Sequence, residues 1–345
     1  MTAKKVLKGI KDNHHAGTDG AMSGTACSFA DDTNRPADVK KDNNALYKRE
    51  EVMSKLFNTE NKKGLYLVLS ACFLLVLAAS VAAIDIPTGK TSDDYVKEAQ
   101  SHVKIISAEE TKALMDNNSN TVLLDIRAFD EFKEHGWIEG RTVLPHGMVI
   151  FKIRDIVPNK DVPIVVYCKK GKRSALVAYQ IQQMGYENVR YLDGGILTWQ
   201  RKGLPTVTSG VSRIAEQAVV PEGEMPTGKM PNDFVKEASG LVKGVSPFES
   251  NKLMESRNVF LLDIRSQQEI ESQGIIDGAL VMEHGKVIFN IKKKVHDANM
   301  PLLVICKQGG RSALIAQQLQ EMGYNDVHHI EGGIVAWKEA GLPVK

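Results

Sequence analysis

The sequence predicts an α/β protein of two similar domains, each a parallel sheet flanked by helices, behind an N-terminal signal peptide or transmembrane helix. Three observations lead there: an internal repeat at an offset of 138 residues, short β-branched runs alternating with helical patterns inside each copy, and one uncharged apolar run near residue 70. A chain of 345 residues has room for two domains of ordinary size plus extra segments. Its formal net charge of +2, with 25% charged residues, gives no strong overall attraction to nucleic acid or to a membrane surface. Any electrostatic role must therefore be local.

Residues 1–63 are polar, rich in Asn, Asp, Lys and Gly, and are expected to be a disordered tail. Residues 64–83 hold the apolar segment. The run Leu65 to Ala83 has nineteen residues without a charge, enough to cross a hydrocarbon core of about 30 Å. Lys62 and Lys63 precede it and Asp85 follows, so the basic flank should stay cytoplasmic and everything after residue 84 should lie on the far side. Two readings stay open. The run is a signal anchor behind the tail, or translation starts at Met53 and a signal peptide is cleaved near Val81-Ala82-Ala83. The Ala- and Ser-rich end of the run favours cleavage. A lipoprotein box at Leu69-Ser70-Ala71-Cys72 is disfavoured, because the apolar run continues past Cys72. Both readings place the domains in the periplasm or on the outer side of the cytoplasmic membrane, with membrane contact only through the uncleaved segment.

The repeat organises the remainder. Leu123-Leu-Asp-Ile-Arg127 returns as Leu261-Leu-Asp-Ile-Arg265, Gly171-Lys-Arg-Ser-Ala-Leu176 as Gly309-Gly-Arg-Ser-Ala-Leu314, and Gly203-Leu-Pro205 as Gly341-Leu-Pro343. Upstream, Pro87-Thr-Gly-Lys90 answers to Pro226-Thr-Gly-Lys229 at an offset of 139, so the copies differ by one residue around Asn117 to Asn120. The domains are set at 84–207 and 226–345, with 208–225 as a linker. Within a copy, Val122 to Ile126 and Ile164 to Tyr167 read as buried strands. Ser174 is placed to cap a helix with apolar positions Leu176, Val177, Ile181 and Met184, and Gly185 to end it. A strand at Val189 to Leu192 and a helix at Ile196 to Lys202 follow. Strand and helix in alternation imply a parallel sheet covered by helices.

The chemistry is expected in the loop Cys168-Lys-Lys-Gly-Lys-Arg-Ser174 and its counterpart Cys306-Lys-Gln-Gly-Gly-Arg-Ser312. In both, a cysteine ends an apolar strand and a serine stands where a helix opens. A sulfur there faces a helix N-terminus, whose partial positive charge favours thiolate over thiol. Lys169, Lys170, Lys172 and Arg173 push the same way, and Gly171 and Gly309 let backbone amides turn inward around an anion. The second loop has only Lys307 and Arg311, with Gln308 and Gly310 at the other two places. Cys168 is therefore expected to be the faster site for anionic substrates. The remaining cysteines, Cys27 and Cys72, lie in the tail and in the apolar run. The absence of a CxxC pair argues against a zinc ribbon or a redox dithiol, and neither a metal nor a cofactor is expected.

Here the chain resembles the rhodanese family over roughly Val103 to Val207 and Val242 to Lys345. The markers are the Asp-Ile-Arg strand ends, the Cys-x-x-Gly-x-Arg-Ser loops, the Asp193 and Glu331 Gly-Gly turns, the following Trp199 and Trp337, and the Gly-Leu-Pro motifs. The resemblance implies a sulfurtransferase that moves sulfane sulfur from an anionic donor such as thiosulfate to a thiophilic acceptor. Cys168 and Cys306 would be the persulfide-forming nucleophiles. The loop residues Lys169, Lys170, Gly171, Lys172, Arg173 and Ser174, with Lys307, Gln308, Gly309, Gly310, Arg311 and Ser312, would hold the donor. Asp125 and Asp263 would brace the loops. Related dual-specificity phosphatases carry Cys-x5-Arg, whereas four residues separate cysteine from arginine here, a shorter cradle suited to sulfur. The chain departs from the family in having Gly136-Trp-Ile138 and Gly274-Ile-Ile276 in place of Gly-His-Ile, and in keeping the cysteine in both copies. A persulfide carrier serving a partner protein is the alternative.

The other conspicuous residues have structural expectations. His146 and His284, at equivalent places before a glycine, are expected to be partly exposed rather than assistants to the thiolates. Trp199 and Trp337 should be core, Arg127 and Arg265 should form structural ion pairs, and Lys292, Lys293 and Lys294 should form a solvated helix face.

Overall fold

The computed structural model describes residues 84–117, 120–208 and 220–345. The expected tail and the apolar run Leu65 to Ala83 lie outside the described residues. Among the described residues no helix is long and apolar enough to cross a membrane.

The first repeat runs α1 (Ser92–His102), β1 (Lys104–Ile106), α2 (Ala108–Asn117), β2 (Val122–Asp125), α3 (Asp130–His135), β3 (Arg141–Val143), a 3-10 turn (His146–Met148), α4 (Val149–Ile156), β4 (Ile164–Tyr167), α5 (Lys172–Gln183), β5 (Val189–Leu192) and α6 (Gly195–Arg201). The second runs α7 (Pro231–Leu241), β6 (Lys243–Val245), α8 (Pro247–Ser256), β7 (Phe260–Asp263), α9 (Gln267–Gln273), β8 (Leu280–Val281), a 3-10 turn (His284–Lys286), α10 (Val287–Asn290), a second 3-10 turn (Ile291–Lys293), β9 (Leu302–Ile305), α11 (Gly310–Glu321), β10 (Val327–Ile330) and α12 (Gly333–Glu339). Each repeat forms a five-stranded sheet, ordered β1-β5-β4-β2-β3 and β6-β10-β9-β7-β8, and every pairing in both is parallel. The one-residue difference between the copies falls between α2 and β2, where the offset changes from 139 to 138.

A sheet covered on both faces needs apolar side chains at every position of its central strands, which is how β2 and β4 read. Val122, Leu124, Ile164 and Val166 pack with α4 and α5 on one side, while Leu123, Val165 and Tyr167 pack with Ile196 and Trp199 of α6 on the other. Burying each large aliphatic side chain contributes about 1.5–3 kcal/mol. Trp199 and Trp337 are core, as expected, and their indole N–H groups donate to Pro205 and Pro343 carbonyls at 2.9 and 3.0 Å. That bond is the structural use of each Gly-Leu-Pro motif. Arg127 and Arg265 are fully buried and pair with Asp125 and Asp263, also as expected.

The start of each repeat crosses to the other. The segment before each repeat packs on the other one. Amides of Gly89 and Lys90 donate to the carbonyls of Met322 and Glu321 at 3.2 and 2.7 Å, and those of Gly228 and Lys229 to Met184 and Gln183 at 3.1 and 2.8 Å. These acceptors are last-turn carbonyls of α11 and α5, which a helix cannot satisfy from within. The exchange continues in side chains. Phe234 of α7 joins the core of the first repeat, and Tyr95 of α1 joins that of the second, its hydroxyl donating to Glu321 at 2.8 Å. Gly89 and Gly228 are glycine because the backbones touch: a Cβ would lie 2.1 Å from the Glu321 oxygen and 2.3 Å from the Gln183 oxygen respectively.

Gly89→Val and Gly228→Val are accordingly expected to cost about 1–3 kcal/mol each in urea unfolding, by lifting an arm off its partner helix. Gly240→Ala, in α7 with open space around it, should be neutral or gain up to about 1 kcal/mol. Equal stability of all three variants would mean that the arms are not held.

Candidate active site

A parallel sheet delivers the ends of its strands and the starts of the following helices to one edge. β4 ends at Tyr167, Cys168 follows at once, and α5 begins at Lys172. Between them Gly171 takes the left-handed conformation (φ +86°), and a Cβ there would sit 3.0 Å from the Gly194 amide. Only glycine makes this turn easily. The turn aims the Gly171 amide at the thiol sulfur, 3.2 Å away, with the Ser174 hydroxyl at 3.6 Å. Around Cys306 the cradle is tighter. The sulfur accepts from the amides of Gly309 at 3.1 Å and Ser312 at 3.4 Å, with the Ser312 hydroxyl at 3.5 Å. Both thiols are 1% exposed. Amide donors converging on a sulfur suit a negatively charged one.

Ser174 does not cap α5. The helix starts two residues earlier at Lys172, and the Ser174 hydroxyl donates to the Gly171 carbonyl at 2.8 Å, as Ser312 does to Gly309. With N–H groups pointing at the sulfur, the hydroxyl serves to fix the turn.

The loop cations are arranged differently from expectation. Arg173 forms a two-pronged ion pair with Glu131 at 2.8 and 2.5 Å, and Arg311 makes the matching pair with Glu269. Burial alone would lower the Arg173 pKa, but the hydrogen bond and charge of Glu131 outweigh it and push it up. Burial likewise tends to raise Glu131, and Arg173 overcomes that to hold its carboxyl below the usual range. Lys169 reaches Glu134 at 3.0 Å and Lys172 reaches Asp93 at 2.7 Å. Of the four positive side chains expected to favour Cys168, three are tied to carboxylates. Lys170 is exposed, as are Lys307 and Gln308 of the second loop. Gly310, the counterpart of Lys172, opens α11 beneath Val235 and Phe151.

Asp125 and Asp263 brace strand ends rather than the loops. Asp125 is buried and accepts from Arg127, Arg141 and the Tyr167 hydroxyl at 2.7–2.9 Å, joining β2, β3 and β4. Ile305 and Ala279 replace Tyr167 and Arg141 in the second repeat, so Asp263 keeps its pair with Arg265. His146 and His284 meet each other across the repeats, ring centroids 5.3 Å apart, and no hydrogen bond joins either to a thiol. Burial, with Arg173 nearby, pushes His146 down to about 3. Burial with His146 and Arg311 pushes His284 well below its ordinary value. Both rings are neutral at physiological pH.

Cys168 opens into a cleft of about 480 Å³ whose far wall belongs to the second repeat, through Lys286, Phe289, Asn290 and Lys293. The basic run is exposed at Lys293 and Lys294, as expected, though Lys292 and Lys293 sit on a 3-10 turn rather than a helix. Lys293 lines this cleft, and Lys292 donates to the Pro87 carbonyl at 3.0 Å. Sequence reasoning passed over the counter-ions Glu131 and Glu269. They stand at the same 138 offset as the arginines they hold, a signal the repeat carried.

The Rhodanese-like domain model matches residues 107–202 and 246–340, together more than half of the chain. A sulfurtransferase of Allochromatium vinosum is 33% identical over 105 residues, which cover 30% of this chain and 95% of that protein. The thiosulfate sulfurtransferase GlpE of Shewanella oneidensis is 35% identical over 89 residues, 26% of this chain and 85% of the relative. Among solved structures, the polysulfide-sulfur transferase homodimer of Wolinella succinogenes is 31% identical, with a TM-score of 0.31, covering 33% of this chain and 85% of that one.

The Glu131–Arg173 pair yields a pH prediction. A carboxyl held below its unfolded value of about 4.3 stabilises the fold fully above that pH and loses the contribution as pH falls through its lowered value. Glu131→Gln should cost about 1–3 kcal/mol at pH 7, by leaving a largely buried guanidinium uncompensated, and should flatten the loss of stability below pH about 4. Urea unfolding of both proteins between pH 7 and pH 3 measures this. Parallel pH curves would show that the pair does not stabilise the loop.

Proposed function

Since this chain belongs to the rhodanese-like domain family, we propose that it is a sulfurtransferase in which Cys168 and Cys306 carry sulfur as persulfides. The observation that carries this reading is the amide-lined turn around each sulfur. It offers N–H donors to a negatively charged sulfur, and at Cys168 it opens on a cleft with room for a second sulfur atom. The named activities of the similar proteins from Allochromatium and Shewanella favour the same chemistry.

The proposed donor is thiosulfate. The cysteine thiolate attacks its outer sulfur, the sulfur–sulfur bond breaks, and sulfite leaves with the bonding pair. The cysteine now bears a persulfide whose terminal sulfur is anionic. An acceptor, cyanide or a thiolate, then attacks that terminal sulfur, the bond to the cysteine Sγ breaks, and the thiolate is regenerated. No outside oxidant or reductant is needed. The amides of Gly171, Gly309 and Ser312 would hold the charge on sulfur in both halves of the cycle. Arg173 and Arg311, held by glutamates, would shape the loops while contributing little net charge to the donor. We propose further that residues 84–345 work outside the cytoplasm, in the periplasm or tethered to the membrane. The support for that is the uncharged run Leu65 to Ala83 behind Lys62 and Lys63.

Intact-mass analysis after incubation with thiosulfate is expected to show a gain of about 32 Da per active cysteine. Cys168→Ser and Cys306→Ser should each lose one gain and the double variant both. Mass gain without thiocyanate formation from cyanide would identify a carrier serving a partner protein, and no gain at either cysteine would sink the proposal. For location, a reporter fused after Lys345 should be active outside the cytoplasm, and activity confined to the cytosol would refute export.

A further inference from the structure

Six cationic side chains line the Cys168 cleft, but most face a carboxylate. Lys169, Lys172 and Arg173 are paired as described, and Lys286 reaches Asp130 at 3.0 Å. Among the described residues, Lys170 and Lys293 have no carboxylate within ion-pair distance. Lys293 makes only a long hydrogen bond to the Asn290 side chain, at 3.4 Å. Lys170 belongs to the loop itself. Lys293 comes from the 3-10 turn after α10, so an uncompensated charge at the first thiol is supplied by the second repeat.

The reciprocal wall at Cys306 comes from α4 of the first repeat. Phe151, the counterpart of Phe289, lies there: a Cβ on Gly310 would be 3.5 Å from its ring. At the same offset of 138, Lys286 corresponds to Met148 and Lys293 to Asp155. Asp155 pairs with Lys152 at 3.2 Å. The first repeat thus has no counterpart to the unpaired ammonium of Lys293. Lys307 remains as the exposed loop cation at Cys306.

We propose that Lys293 is a specificity-determining residue for the Cys168 site, drawing anionic sulfur compounds to a thiol of the other repeat. This deepens the sulfurtransferase reading and rests on it. The two thiols then divide substrates by charge. A dianion such as thiosulfate loads Cys168 preferentially, and Cys306 accepts uncharged or weakly charged partners on more equal terms. The charge acts across a solvated cleft, so its effect is moderate and shrinks with salt.

The test is the ratio of alkylation rates with iodoacetate and iodoacetamide, read at each cysteine by peptide mass spectrometry on the full chain. Both reagents consume the thiolate, so the ratio cancels the thiolate fraction and reports only the preference for an anion. The ratio should be higher at Cys168 than at Cys306. Lys293→Ala should lower it about two- to threefold at Cys168 and leave Cys306 unchanged. The differences should narrow at 0.5 M salt. An unchanged ratio at Cys168 in Lys293→Ala, equal changes at both cysteines, or a Cys168 that neither reagent reaches would overturn the proposal. Since no sulfur transfer is involved in this measurement, its failure is distinct from failure to form a persulfide.

Discussion

The helix that follows the cysteine loop leaves its first amides and last carbonyls without internal partners, and the protein uses both ends. At its start, the N-cap residue Gly171 turns its N–H toward Cys168. At its finish, the carbonyls of Gln183 and Met184 accept from the arm of the second repeat. α11 does the same with Cys306 and the arm of the first repeat. Site and interface are therefore two ends of one object. The sulfur cradle is positioned by a helix whose other end is held by the opposite repeat, and shifting either end along the helix axis would disturb both.

Around that helix the parallel sheet does the rest. Its strands bring Asp125, Cys168 and the Asp193 turn to one edge, and the backbone amides of Ile196 and Leu197 donate to the carbonyls of Cys168 and Lys169, fixing the loop from beneath. The loop's charges are then largely balanced by carboxylates on neighbouring helices. In the proposed reaction, a cluster of uncompensated cations would hold the leaving sulfite as well as it held the donor, whereas a neutralised loop leaves amide geometry in charge.

Much of this was legible in the sequence because the repeat gave two readings of every motif. β2, β4, β5, α6 and the placement of both cysteines follow from β-branched runs, helical spacing and recurrence. The errors share a cause: they concern partners distant in sequence. Ser174 has the chemistry of a helix cap, yet the turn before it is already closed by Gly171, and nothing local to Ser174 reveals that. Lys169, Lys172 and Arg173 look like an anion trap until Glu134, Asp93 and Glu131 are placed beside them by the fold. Lys293 is exposed, as its run suggests, but its place in the cleft of the first repeat's thiol shows only once the two repeats are packed together. The strand β1 and helix α1 escaped notice altogether, since three residues of strand and a polar, amphipathic eleven-residue helix carry weak signals alone.

The exchanged arms have a consequence for what counts as a unit here. Cutting the polypeptide in the linker would separate two stretches of sequence, each with a recognisable domain, but neither stretch would be self-sufficient. Each would carry an arm without its groove and a groove without its arm, with helix carbonyls exposed and an aromatic side chain stripped of its pocket. The boundary visible in the sequence thus cuts across contacts that the two repeats share. Any attempt to study one half in isolation studies a molecule with a missing piece.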